Sequence, residues 1–165
     1  MNIALACDHR GFHVKQDLLT FLRSDNDSLH DMGTHDTKSC DYPDIAIPTA
    51  LAVVRGKVDR AILIDGSGLG MSIVANKIPG IRAAVCHDEL TAEISRRHNN
   101  ANVLCLAADL LGQELVRRIA AAWIKTPFEE GRHSRRLEKI SQLESRLFSD
   151  TQLAIERLEA NPITP

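Results

Sequence analysis

Ala61-Ile62-Leu63-Ile64-Asp65-Gly66-Ser67-Gly68-Leu69-Gly70-Met71-Ser72-Ile73-Val74-Ala75-Asn76-Lys77 changes character once, at its glycines. Residues 61–64 are an unbroken apolar run of strand length, and residues 71–77 suit a short helix. A strand that feeds a helix through a tight turn is the repeating unit of α/β folds. Glycines at 66, 68 and 70 accept positive φ and let a ligand approach the backbone. Free N–H groups at the helix start favour an anion, either a phosphate or an oxyanion that develops during reaction. A tight turn that binds nothing has the same sequence. The dinucleotide pattern G-x-G-x-x-G fails, because Met71 stands where its third glycine belongs. The phosphate-loop ending Gly-Lys-Ser/Thr is also missing, which leaves nucleotide binding with only the turn itself.

Outward from this segment, short apolar runs alternate with amphipathic stretches. Strands are expected at 3–7, 30–33, 61–64, 81–86 and 102–107. Helical spacing joins Phe12, Leu18, Leu19 and Leu22, and further helices are expected at 42–54, 71–77, 88–97 and 110–124. Pro43 suits a first helical turn. Strands of this kind separated by helices predict an α/β protein, a central parallel sheet covered on both faces. Ligands of such folds gather at the carboxyl ends of the strands. Asp8-His9, Asp65-Gly66 and His87-Asp88 are placed there. Beyond residue 134 one or two polar helices follow. Leu137, Ile140, Leu143 and Leu147 form an apolar stripe that packs on its own domain or on a neighbour. Ser149-Asp150 would stop one helix and cap a second at 151–159, and residues 161–165 would fray. The expected division is a domain over 1–148 and a helical tail over 149–165.

The 165 residues are 44% hydrophobic and 25% charged, with a formal charge of −2. That is one ordinary globular domain, and nothing in it favours nucleic acid or a membrane surface. Neither a signal peptide nor a membrane-spanning run is visible. Cys7, Cys40, Cys86 and Cys105 show no C-x-x-C spacing and are expected reduced, in a cytoplasmic protein, without zinc.

Three other segments carry side chains suited to chemistry. Asp8 and His9 pair a carboxylate with an imidazole directly after the first strand. His98 and Asn99 sit in a polar stretch before the last strand. Arg132 and Arg136 are four residues apart and would project from one side of a helix start, where two guanidinium groups grip a phosphate. A structural pair, a plain polar loop and a solvated basic stretch would look the same.

Together and in this order the segments resemble the ribose-5-phosphate isomerase B family, which includes both subunits of galactose-6-phosphate isomerase. The matching stretches are 3–9 with Gly11-Phe12, Asp41-Tyr42-Pro43, Gly66-Ser67-Gly68 with Gly70, and Ala75-Asn76-Lys77 with Pro79-Gly80-Ile81-Arg82. Arg97-His98-Asn99, Asn102-Val103-Leu104 and Gly131-Arg132-His133 with Arg136 complete the match, which runs from residue 3 to about 147. The resemblance implies a Rossmann-like three-layer sandwich and a homodimer or tetramer. It places the active site between subunits, with His98-Asn99 completing a neighbour's site. Neither metal nor organic cofactor is implied. The reaction would interconvert an aldose phosphate and its ketose through a cis-enediolate.

By the same resemblance, His98 and Asp8 open the sugar ring, and the N–H groups around Gly66, Ser67, Gly68 and Gly70 hold the enediolate oxygen. His9, Arg132 and Arg136 bind the phosphate, and Tyr42 lines the pocket. Two positions depart from the family. Its proton-abstracting base is usually a cysteine just before the glycine turn, or a glutamate six positions later; here those places hold Asp65 and Met71. Asp65 is then the base itself, or abstraction has been lost and the chain is a binding subunit that works beside a cysteine-bearing paralogue. Many members also carry an arginine where this chain has Asp109, and a carboxylate there would repel phosphate.

Overall fold

The computed structural model describes residues 1–23, 28–148 and 151–160. Five strands form one parallel sheet: β1 (Asn2–Cys7), β2 (Ser28–Asp31), β3 (Arg60–Asp65), β4 (Ala83–Val85) and β5 (Val103–Ala107), in the order β2-β1-β3-β5-β4. Every pairing is parallel. The chain moves outward from β1 to β2, then returns to place β3 on the other side of β1. The crevice at the carboxyl ends of β1 and β3 is therefore a topological switch point, where open α/β sheets bind ligands.

Strand residues alternate between two apolar layers, as the two-residue period requires. Ile3, Leu5, Ile62, Ile64, Leu104 and Leu106 face one layer with α1 (Phe12–Leu22), α4 (Glu89–Asn99) and α5 (Gln113–Lys125). Ala4, Ala6, Ala61, Leu63, Val103 and Cys105 face the other with α2 (Tyr42–Val54) and α3 (Leu69–Ala75). Two further helices follow, α6 (Arg132–Leu147) and α7 (Thr151–Ala160). Ile155 of α7 is buried in the α2-side core, and Glu159 pairs with Arg55 at 2.6 Å, so α7 docks on the domain. The stop expected at Ser149-Asp150 and the tail at 161–165 lie outside the described residues.

Element positions differ from expectation where side chains take over backbone bonding. β2 lies at 28–31 rather than 30–33, because Gly33 and Thr34 bond to Cys7 outside the ladder and the buried Lys15 holds Asp31 at the strand end. β4 is shorter than 81–86: the Asn102 carboxamide takes the Arg82 N–H at 2.8 Å, and Asn76 brackets Ala83 by accepting its N–H and donating to its carbonyl, both at 2.9 Å. Asn76 thereby covers an exposed sheet edge. α3 starts two residues early, at the left-handed Gly68 (φ 79°). α5 begins after Gly112 rather than at 110. The stripe on α6 is divided. Leu137 and Ile140 line a cavity of about 330 Å³ against β4, although Ile140 is still exposed on its outer side, while Leu143 and Leu147 lie outside that cavity and are exposed. Among the described residues, no helix is long and apolar enough to cross a membrane.

Candidate active site

The residues singled out from the sequence fall into two groups at opposite ends of the sheet. Asp8, His9, Asp65 and the glycine turn lie at the carboxyl ends of β1 and β3. Asp8 N–H donates to the Ile64 carbonyl at 3.1 Å, which sets the two strand ends side by side. Asp8 Oδ1 accepts the N–H groups of Arg10 (2.9 Å) and Gly11 (3.2 Å). Gly11 is required there, since a Cβ would meet the Ile64 carbonyl oxygen at 2.6 Å. Burial pushes the Asp8 carboxyl up, against those two N–H bonds. His9 Nδ1 rests 3.3 Å from the Cys40 carbonyl oxygen, which fixes its ring. The Tyr42 ring lies over Gly70, where an added Cβ would be 3.0 Å from it.

Asp65 sits at the end of β3 as expected, and both of its oxygens accept backbone N–H groups. Oδ1 accepts the N–H of Ser67 at 2.7 Å and that of Gly68, and Oδ2 accepts the N–H of Met71 at 2.9 Å. The side chain is 4% exposed. Its carboxylate fills the helix start with an internal anion. The amides that the resemblance assigns to the enediolate are thus partly taken by the chain itself. The Ser67 hydroxyl oxygen accepts the Leu69 N–H at 3.2 Å.

Asp109 does not stand alone beside the turn. Arg10 Nε donates to its Oδ2 at 2.6 Å, and both side chains lie against Gly66. The repulsive carboxylate expected from the sequence is neutralised by this pair.

The second group lies at the amino end. α4 leaves the carboxyl end of β4 and runs back roughly 16 Å over its eleven residues. Its last turn meets the start of β5, where Ala101 N–H donates to Ser95 at 3.0 Å. α5 returns the same way, so that Arg60, the first residue of β3, donates to the Ile124 carbonyl at 3.0 Å. α6 begins at this end, beside His98. Glu129 ties the corner together. Its N–H donates to the Arg97 carbonyl (3.0 Å), and its Oε1 accepts from Arg97 Nε (2.7 Å). Its Oε2 stands 3.6 Å from His98 Nε2 and 3.8 Å from His133 Nε2. The two imidazoles stack with centroids 4.3 Å apart. Arg132 Nε approaches His133 Nε2 at 3.3 Å. Hydrogen bonding from Arg97 holds the Glu129 carboxyl below its ordinary range. Burial, then His98, Arg132 and Arg136, push the His133 imidazole down.

His98, Glu129 and His133 bring ligand atoms within 4.8 Å of one another, the spacing of a metal site. The surrounding Arg97, Arg132 and Arg136 oppose a cation there. Asn99, the last residue of α4, takes the Arg82 Nε donor on its carbonyl at 3.1 Å and borders the α6 cavity.

One half is thus carboxylate-rich and bound by backbone; the other is cationic and made of side chains. The model for the family described as "Ribose/Galactose Isomerase" matches residues 3–140. The chain belongs to this family. It is 44% identical over 144 residues to "Ribose-5-phosphate isomerase B" of Escherichia coli K12, covering 87% of this chain and 97% of that protein. It is 39% identical over 145 residues to "D-erythrulose-4-phosphate isomerase" of Pectobacterium atrosepticum, covering 87% and 95%. The solved structure of Clostridium thermocellum ribose-5-phosphate isomerase B superimposes with a TM-score of 0.87 at 44% identity, covering 89% of this chain and 99% of that one.

Sequence reasoning missed three features: the Asp65 amide clamp, the Arg10–Asp109 pair and the Glu129 bridge. The first had a signal. An aspartate two residues before a Ser-Gly is poised to accept its own downstream amides. The other two join residues 99 and 31 positions apart and left no local trace.

Proposed function

We propose that this chain is a sugar-phosphate aldose–ketose isomerase whose active site is shared by two copies of the chain. Ribose 5-phosphate and ribulose 5-phosphate, or a related four- to six-carbon pair, are the substrates, and the path runs through a cis-enediolate. The carrying observation is the separation of the two groups to opposite ends of one sheet. Within one chain Asp8 and His98 cannot meet around one sugar. A two-fold pair that sets the amino end of each copy against the carboxyl end of the other completes two sites. Their opposite charge favours that docking. Leu69 and Ile73 of α3 and Leu90 and Ile94 of α4 are exposed apolar side chains flanking the β4 edge, and they supply an apolar surface for it.

In this arrangement His98 of one copy and Asp8 of the other exchange the protons of ring opening. Arg132, Arg136 and His9 hold the phosphate, and Tyr42 and Asn99 line the sugar. The amides at the glycine turn face the oxygen where charge develops. Arg10 and Asp109 add no net charge beside it. The absence of disulfides among the four cysteines suits a cytoplasmic protein.

Mixing tests the shared site. Asp8→Asn and His98→Asn are each expected to be nearly inactive on ribose 5-phosphate. After co-refolding, half of a random dimer population is hybrid with one intact site of two, so about a quarter of parental activity returns. No recovery, with hybrids shown to form, would refute the shared site. The Asp65 clamp favours a second reading, a binding subunit that needs a cysteine-bearing paralogue. In that case the purified parent binds sugar phosphates and turns over none.

A further inference from the structure

Asp8 and Asp65 end neighbouring strands, yet the backbone uses their oxygens differently. Asp65 accepts three amides with both of its oxygens, so neither faces a substrate free of a donor. Asp8 spends Oδ1 on two amides. Among the described residues its Oδ2 has no hydrogen-bond donor, and with Asp8 only 6% exposed that oxygen is a free acceptor held largely out of water at the strand end. We propose that Asp8, through Oδ2, is the base that moves the carbon-bound proton in this chain, while Asp65 is a fixed anion that holds the glycine turn.

The proposal rests on the isomerase reading above and deepens it. Asp8 lies at the switch point, directly beside the turn. Its carboxyl is pushed up chiefly by burial and further by the Asp65 charge, which makes it a stronger base than a solvated aspartate. The fixed Asp65 thus supports its neighbour electrostatically without touching the sugar.

The step balances without a co-reactant. Oδ2 takes a proton from C1 of the ketose. The C–H electron pair becomes the C1–C2 double bond, and the C2 carbonyl π pair moves onto its oxygen. A proton passes from the C1 oxygen to the C2 oxygen, C2 takes back the proton held by Asp8, and the aldose results.

Ring opening would confuse the test in the aldose direction, because Asp8 serves there too. Ribulose 5-phosphate and erythrulose 4-phosphate avoid this: the first carries phosphate on the oxygen that would close a five-membered ring, and the second has too few carbons to close one on C2. The measurement is exchange of their C1 hydrogens with D2O, followed by NMR, on the full-length protein. The parent should exchange at least one of the two. Asp8→Asn keeps Oδ1 for the Arg10 and Gly11 amides and so stays folded, yet exchange should fall by on the order of 10²-fold or more. Asp65→Asn keeps an acceptor for Ser67 and Gly68 but turns a donor toward Met71, so exchange should fall by less than in Asp8→Asn. Exchange in Asp8→Asn within about threefold of the parent, or a greater loss in Asp65→Asn, would overturn the assignment. A parent that binds both ketoses and exchanges neither would overturn the isomerase reading and the base with it.

Discussion

At the carboxyl ends of β1 and β3 the functional groups are held by backbone amides; at the amino end they are held by one another. Asp8 and Asp65 each accept N–H groups from residues two to six positions along the chain. Arg97 and His98 come from α4, His133 from α6 and Glu129 from the loop between α5 and α6, and among the described residues no backbone amide orders their tips. The first kind of site is made once its turn forms. The second exists only after α4 and α6 have packed. Rigid, locally determined carboxylates suit the carbon-bound proton, whose transfer tolerates little misplacement. Long side chains at a helix start suit a phosphate, which accepts donors from many directions.

His98→Asn breaks this division most severely. Ring opening should lose on the order of 10²- to 10⁴-fold in kcat/KM for ribose 5-phosphate, while exchange at C1 of the acyclic ketose falls much less. Equal losses in both assays would place His98 in the proton transfer at carbon and erase the distinction between the halves. Arg136→Ala comes next. Losing one charged hydrogen-bond partner of the phosphate should raise KM by roughly 10- to 100-fold with kcat little changed. A pure kcat loss would remove Arg136 from ground-state binding.

Gly68→Ala probes the backbone-held half. The left-handed φ of 79° costs about 1–2 kcal/mol for a residue with a Cβ. That Cβ would also press on Val85 Cγ1 at 3.0 Å. Thermal and denaturant midpoints should fall accordingly, and phosphate affinity should stay near the parental value because the arginines are at the other end. A loss of phosphate affinity as large as that of Arg136→Ala would move the phosphate to the glycine turn.

The legible parts were those written in local sequence. Unbroken apolar runs separated by helices marked a parallel sheet covered on both faces, and the glycine turn at 66–70 was visible from its spacing. Asp8 and Asp65 were placed at strand ends from patterning alone. The ends of β2 and β4 were misplaced because Lys15, Asn76 and Asn102 bond to backbone far along the chain. A propensity argument has no access to such bonds. Arg10 and Asp109 failed for the same reason: position 109 carried a warning as a lone charge, and only the fold supplied its partner. The separation of His98 from Asp8 needed the direction of α4, which follows from any strand–helix–strand unit of a parallel sheet. It was derivable, and the resemblance alone had suggested it.

The smallest expected effect concerns acid. Glu129 is held below its ordinary value of 4.5, with Arg97 the main cause. Its contribution to stability is present above that value and is lost as pH falls through the lower, folded one. His133 is held below its ordinary value of 6.5, chiefly by burial. The folded state resists its protonation, so stability drops as pH falls from that value toward the folded one. Both groups therefore loosen the junction of α4 and α6 on acidification, the histidine first. His133→Asn should flatten the Tm-against-pH curve just below pH 6.5. Glu129→Gln should steepen it in the same interval, because the carboxylate is the one group opposing the downward push on His133 from His98, Arg132 and Arg136. Opposite signs from two neighbouring substitutions are hard to obtain from general loosening. Parallel shifts at all pH values would instead mean that the corner is held by packing alone, and that its charges serve the ligand.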